Sequence, residues 1–111
     1  MAAFRYQLDL GGLVLDFEGK QVPFSDTNNE PLSFRRGFAF FLGAFHTRDP
    51  EKALTAYGLS RHIAKESKQH VHLSQQEYDL LIEAVAAANS QAIVSGQLIE
   101  RIKKAVPSSY A

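Results

Sequence analysis

Apolar and polar residues alternate strictly over the opening segment. Phe4, Tyr6, Leu8 and Leu10 are apolar, and Arg5, Gln7 and Asp9 stand between them. After Gly11-Gly12 the alternation resumes, with Leu13, Leu15 and Phe17 set against Val14, Asp16 and Glu18. A period of two is the signature of a strand with one buried face, and a two-residue glycine link reaches the positive φ angles of hairpin turns. The spacing predicts an antiparallel β-hairpin over 4–18. Pairing Leu10 with Leu13 sets Leu8 opposite Leu15 and Tyr6 opposite Phe17 on one face. It sets Asp9 opposite Val14, Gln7 opposite Asp16 and Arg5 opposite Glu18 on the other. Gly19-Lys20 offers a second turn, returning 21–24 as a third strand of a meander. Pro23 cannot donate to a ladder, which keeps that strand short and at an edge. Residues 25–32 read as a polar loop dense in turn formers.

Beyond the loop the period changes. Phe34, Phe38, Phe41, Leu42 and Phe45 fall at helical spacing behind Ser33, a side chain suited to an N-cap. Ala39 and Gly43 lie four apart on another side, where small residues permit close packing. Asp49-Pro50-Glu51 starts a second helix with an N-cap, a first-turn proline and an acid at the positive end. Its buried stripe is Ala56, Leu59 and Ile63. Ser74-Gln75-Gln76-Glu77 is a capping box opening a third helix, whose stripe is Tyr78, Leu81, Ile82 and Val85. Asn89-Ser90 marks a break before the fourth. The helices are expected at about 34–46, 50–67, 75–88 and 90–105. The fold class is α+β, an N-terminal antiparallel hairpin packed on three to four helices, in one domain over 1–111.

The fourth helix is apolar along two lines, Ile93, Gly96 and Ile99, and Val94, Leu98, Ile102 and Ala105. A surface helix needs only one such stripe. A central place in the fold and an interface with a partner or a second copy both fit. The candidate contact surface is Val94, Leu98 and Ile102, rimmed by Arg35, Arg36 and Arg101.

Composition narrows the function classes. Lysine plus arginine equals aspartate plus glutamate at 12 each, so the chain lacks the basic excess that usually accompanies dedicated nucleic-acid binding. It has no cysteine, which excludes disulfides and thiolate metal sites. The first residues lack a basic stretch leading into an apolar core, so no secretory signal is expected and cytoplasmic residence is. No apolar run approaches the roughly 20 residues of a membrane helix.

Three groups carry residue types suited to chemistry. Arg36-Gly37-Phe38-Ala39-Phe40-Phe41 matches the opening of the RNP1 motif of RNA-recognition domains, which would set Phe38 and Phe40 on a base-stacking strand. The motif's final aromatic would fall on Gly43, and the phenylalanines fit a helical period better, so a core helix is expected. His70-Val71-His72 places two imidazoles on one face if extended, with His62 upstream. The spacing matches no metal motif, and a solvated loop is expected. Asp9, Asp16 and Glu18 fall on the polar face of the hairpin, where solvation and one cross-strand ion pair account for them. No catalytic constellation, cofactor or metal is expected.

Four short motifs carry a resemblance. In order they are Leu15-Asp16-Phe17-Glu18-Gly19-Lys20-Gln21-Val22, Glu30-Pro31-Leu32-Ser33, and Leu73-Ser74-Gln75-Gln76-Glu77, followed by Ile93-Val94-Ser95-Gly96-Gln97. The chain resembles a group of small phage and prophage proteins with a strand, an Asp-x-x-Gly-Lys turn, a Pro-Leu-Ser helix start and capped helices. The likeness spans roughly Leu8 to Ile102. It implies a phage origin more than a mechanism. Together with the lack of a catalytic constellation and the excess apolar surface of the last helix, it leads to the expectation of a phage-encoded, non-enzymatic interaction protein that binds a phage structural protein or a host factor. The alternative is a small nucleic-acid-binding regulator using Arg35, Arg36, Arg61, Lys65, Lys68 and Lys103-Lys104.

Overall fold

The computed structural model describes residues 3–23, 30–88 and 91–110. Strand β1 (Ala3–Asp9) is followed by helices α1 (Phe34–Gly43) and α2 (Pro50–Lys65). Strand β2 (His70–Ser74) leads into α3 (Gln75–Ala87), then α4 (Ala92–Lys103) and strand β3 (Val106–Tyr110). The class is α+β, as expected, with an antiparallel sheet and four helices.

The hairpin over 4–18 does not form. β1 is the middle strand of a sheet ordered β2-β1-β3, antiparallel to both neighbours. Leu8 lies opposite Val71, Asp9 opposite His70, and Tyr6 between Leu73 and Pro107. The pairings of Asp9 with Val14, Gln7 with Asp16 and Arg5 with Glu18 are therefore replaced by long-range ones. At the glycine link the chain turns away from β1. Gly12, at φ +92, adopts the left-handed conformation that a side chain disfavours. Leu10 N–H donates to the Gln69 carbonyl at 2.6 Å and Val14 N–H to the Leu32 carbonyl at 2.8 Å.

Burial then runs opposite to the expectation past the turn. Val14 is fully buried, whereas Leu15 is 40% and Phe17 86% exposed. The Gln97 side-chain amide explains part of this, because it donates to the Leu15 carbonyl and accepts from Leu15 N–H at 3.3 Å. Both backbone groups of Leu15 thus have a partner that is not a strand.

The second turn holds. Asp16 accepts from Glu18 N–H and Lys20 N–H, both at 2.9 Å, and Gly19 sits at φ +82. The returning segment forms only isolated bridges, Leu15 with Gln21 and Pro23 with Pro31, rather than a strand. Phe24, most of the polar loop and Asn89-Ser90 lie outside the described residues.

The three expected N-caps are in place. Ser33 accepts from Arg36 N–H, Asp49 from Glu51 and Lys52 N–H, and Ser74 and Glu77 form a reciprocal capping box. Each meets amide groups that the first helical turn leaves unbonded. α1 and α2 approach closely where expected. Ser60 donates to the Ala39 carbonyl at 2.7 Å, and a Cβ on Gly43 would lie 3.4 Å from Ser60 Oγ.

One continuous core joins the sheet to the helices. The buried sheet face of Leu8, Val71 and Leu73 is covered by α3 and α4, not by the Phe-rich α1, which packs on the other helices. Tyr6 stacks on Tyr78 of α3 at 4.0 Å between ring centroids. Leu98 and Ile102 are wholly buried and Val94 packs half-buried against the core. The double stripe of α4 therefore splits: the Leu98 and Ile102 line is buried and not available to a partner, whereas on the other line Ile93 is 36% exposed and Ile99 half-buried.

Strand β3 has no alternation to announce it. It follows a helix that ends three residues before Val106, and its Pro107 is tolerated because β3 is an edge strand.

Candidate interaction surface

Helix α2 directs Ala56, Leu59 and Ile63 into the core, as their spacing predicts. At about 100° per residue, Leu54, Tyr57, Arg61 and Lys65 then fall on the opposite side. There Leu54 is 71% and Tyr57 58% exposed. A helix of this kind ordinarily turns polar groups to water. Arg61 folds back along the helix, its guanidinium 5.5 Å from the Tyr57 ring centroid and donating to the Tyr57 hydroxyl at 2.9 Å. The pair forms a flat aromatic and cationic plate. Beside it lies an open cleft of about 500 Å³, lined by Gly58, His62 and Ser67 among others.

The C-terminal end of α2 is clamped from within. Arg35 of α1 donates to the carbonyls of Ile63 at 3.0 Å, Glu66, and Lys68 at 2.7 Å. Those carbonyls lie where an ending helix runs out of amide partners. Glu66 accepts from Lys68 N–H at 3.1 Å and faces His62 Nε2 at 3.7 Å. The backbone hydrogen bond from Lys68 first, then the electrostatic influence of the neighbouring His62 and Lys68, holds the Glu66 carboxyl below the usual carboxylate range.

Of the expected arginine rim, Arg35 and Arg101 are engaged in contacts within the fold. Besides the Arg35 clamp, Arg101 stacks over the Phe34 ring at 3.8 Å. It donates to the carbonyls of Asp9 at 3.2 Å and Gly11 at 2.8 Å. Arg101 also lies 3.5 Å from the Asp9 carboxylate, which accepts from Gly11 N–H at 2.8 Å. The Gly11 hydrogen bond, then those of Gln69 and the charge of Arg101, lower the Asp9 pKa. Arg36 stays exposed and pairs with Glu30.

The other candidate groups scatter. Phe38 is buried on α1, as a core helix requires, whereas Phe40 is 53% exposed. Phe40 and Phe45 flank an apolar groove of about 500 Å³ floored by Ala84, Ala87 and Ala88 of the α3 end. His70 and His72 occupy a strand rather than a loop and share its exposed face. Among the described residues no group of three or more His, Asp or Glu is arranged to hold a metal ion. Among the same residues no helix is long and apolar enough to cross a membrane.

Sequence reasoning missed Leu54 and Tyr57. The signal was present, since neither can share a helix face with Ala56, Leu59 and Ile63. No protein family, no curated protein and no solved structure matches this chain.

Proposed function

We propose that the chain is a non-enzymatic protein–protein interaction module that engages its partner through the outer face of α2. The observation carrying this reading is the exposure of Leu54 and Tyr57 on the side of α2 away from its own core. Exposed apolar side chains grouped on one face and rimmed by charge favour a contact surface over a solvated one. Tyr57 and Arg61 add the residue types that dominate interface energetics. The two carboxylates with lowered pKa values, Asp9 and Glu66, serve turns and helix ends, a structural role rather than an acid–base one. The order of turn and cap motifs supports a phage setting, with action in virion assembly or on a host factor.

The test is affinity capture from phage-infected or lysogenic cells, with the tagged chain beside its Leu54→Ser, Tyr57→Ser double variant. The native chain should recover a stoichiometric protein that the variant loses. Equal recovery by both, or no recovery by either, overturns the reading.

A nucleic-acid-binding regulator is the second reading, favoured by Arg61, Lys65 and Lys68 gathering at one end of α2. It predicts a mobility shift that weakens steeply with salt.

A further inference from the structure

Gly58 lies in the interior of an exposed helix, where glycine is about 1 kcal/mol less favourable than alanine. The fold shows no use for it. A Cβ built there meets nothing within 4 Å, and its φ is not positive. Gly37 and Gly43 differ, because a Cβ on them would meet Leu98 at 3.2 Å and Ser60 at 3.4 Å. Gly58 therefore leaves open space on the outer face, as Gly96 does on α4. At Gly58 that space is a shallow notch at the edge of the cleft it lines with Tyr57, Arg61 and His62, with the exposed Leu54 and Tyr57 on the same face.

Charge divides the face along its length. The N-terminal half presents Leu54 and Tyr57. The C-terminal half presents Arg61, His62 and Lys65, with Lys68 just beyond, against the single carboxylate of Glu66. Glu66 is already engaged by Lys68 N–H and lies beside His62. The net charge of this end is positive although the whole chain is neutral. A docking segment is selected by complementarity, and like charge here would be repelled.

We propose that this face receives an acidic amphipathic helix of the partner, seating an apolar side chain in the Gly58 notch and setting carboxylates on Arg61 and Lys65. This rests on the interaction reading above and assigns the partner's chemistry. Arg61 held over Tyr57 offers a fork to a carboxylate with little further ordering.

The test measures fluorescence anisotropy of labelled peptides with the full chain. Two peptides of about five helical turns share one leucine and alanine face, and carry either glutamates or lysines on the other. An oligo-dT of similar charge is the third probe. The acidic peptide should bind at least about tenfold more tightly than the basic peptide and the oligonucleotide, a difference of about 1.4 kcal/mol. Gly58→Leu, which fills the notch where the fold leaves room, and Arg61→Glu should each weaken it about tenfold or more. Circular dichroism should show both variants folded. Equal binding of both peptides, tighter binding of oligo-dT, indifference to both variants, or no acidic binding up to about 1 mM would overturn the proposal. If the double variant still loses its captured partner while the acidic peptide fails, the interaction reading stands and the acidic assignment falls.

Discussion

Helices α2 and α4 both carry apolar side chains on more than one side, and they differ in degree: the outer line of α4 is partly covered, with Ile93 36% exposed and Ile99 half-buried, and that of α2 is not. On α4 the line through Leu98 and Ile102 is sealed between the other helices and the sheet, with both side chains at zero exposure. On α2 the second line, Leu54 and Tyr57, stands in water. Their positions in the fold explain the contrast. α4 lays its Leu98 and Ile102 line on the core and is anchored by Gln97 to Leu15 and by Arg101 to the Gly11 turn. α2 packs on α1 and α3 with one face only. The Leu98 line of α4 thus serves the core, whereas the Leu54 and Tyr57 line of α2 is left to solvent.

The largest effect should come from cutting into α4. Leu98→Ala or Ile102→Ala removes a fully buried side chain and should cost about 2–5 kcal/mol, read as a lower urea midpoint at unchanged slope. Arg35→Ala comes next, at about 2 kcal/mol, because three carbonyls at the end of α2 lose a charged donor. Arg35→Lys should recover only part of that, since an ammonium cannot reproduce the planar fork.

Asp9→Asn should cost less, under about 1 kcal/mol, because the carboxylate is partly exposed and screened. Its signature is the pH dependence. A carboxyl whose pKa is lowered on folding stabilises the protein above its unfolded value of about 3.9. That contribution is lost as the pH falls through the folded value. The stability gap between the native chain and Asp9→Asn should be full at neutral pH and close below about pH 4. A gap that is constant down to strong acid would remove Asp9 from the Gly11–Arg101 clamp. On the outer face of α2 the sign reverses. Gly58→Ala should raise stability by roughly 0.5–1 kcal/mol, seen as a higher thermal midpoint.

Much of this arrangement is legible from short stretches of sequence. Ser33, Asp49 and Ser74 act as caps because a cap is decided within three or four residues. The Asp16–Lys20 turn and the stripe of Ala56, Leu59 and Ile63 are readable for the same reason. Strand pairing is a different matter. The alternation of β1 shows that one face is buried, but it does not name the partner. The Gly-Gly link suggested 13–17, whereas the partners come from near residue 70 and beyond residue 105. Both halves of the supposed hairpin alternate well, and only the tertiary bonds of Leu10, Val14 and Leu15 decide against it. The α4 surface failed for a related reason. A double stripe fits a central helix and an interface equally, and enclosure by other elements is a property of the whole fold. Leu54 and Tyr57 could have been found by asking which apolar residues the Ala56 stripe excludes.

The outer face of α2 is surplus to the fold, whereas the inner line of α4 is not. Urea denaturation of the Leu54→Ser, Tyr57→Ser double variant beside Leu98→Ala tests it most directly. The double variant should unfold within about 0.5 kcal/mol of the native chain while Leu98→Ala loses about 2–5 kcal/mol. A loss of several kcal/mol from the double variant would show that Leu54 and Tyr57 serve the fold and are not surplus to it.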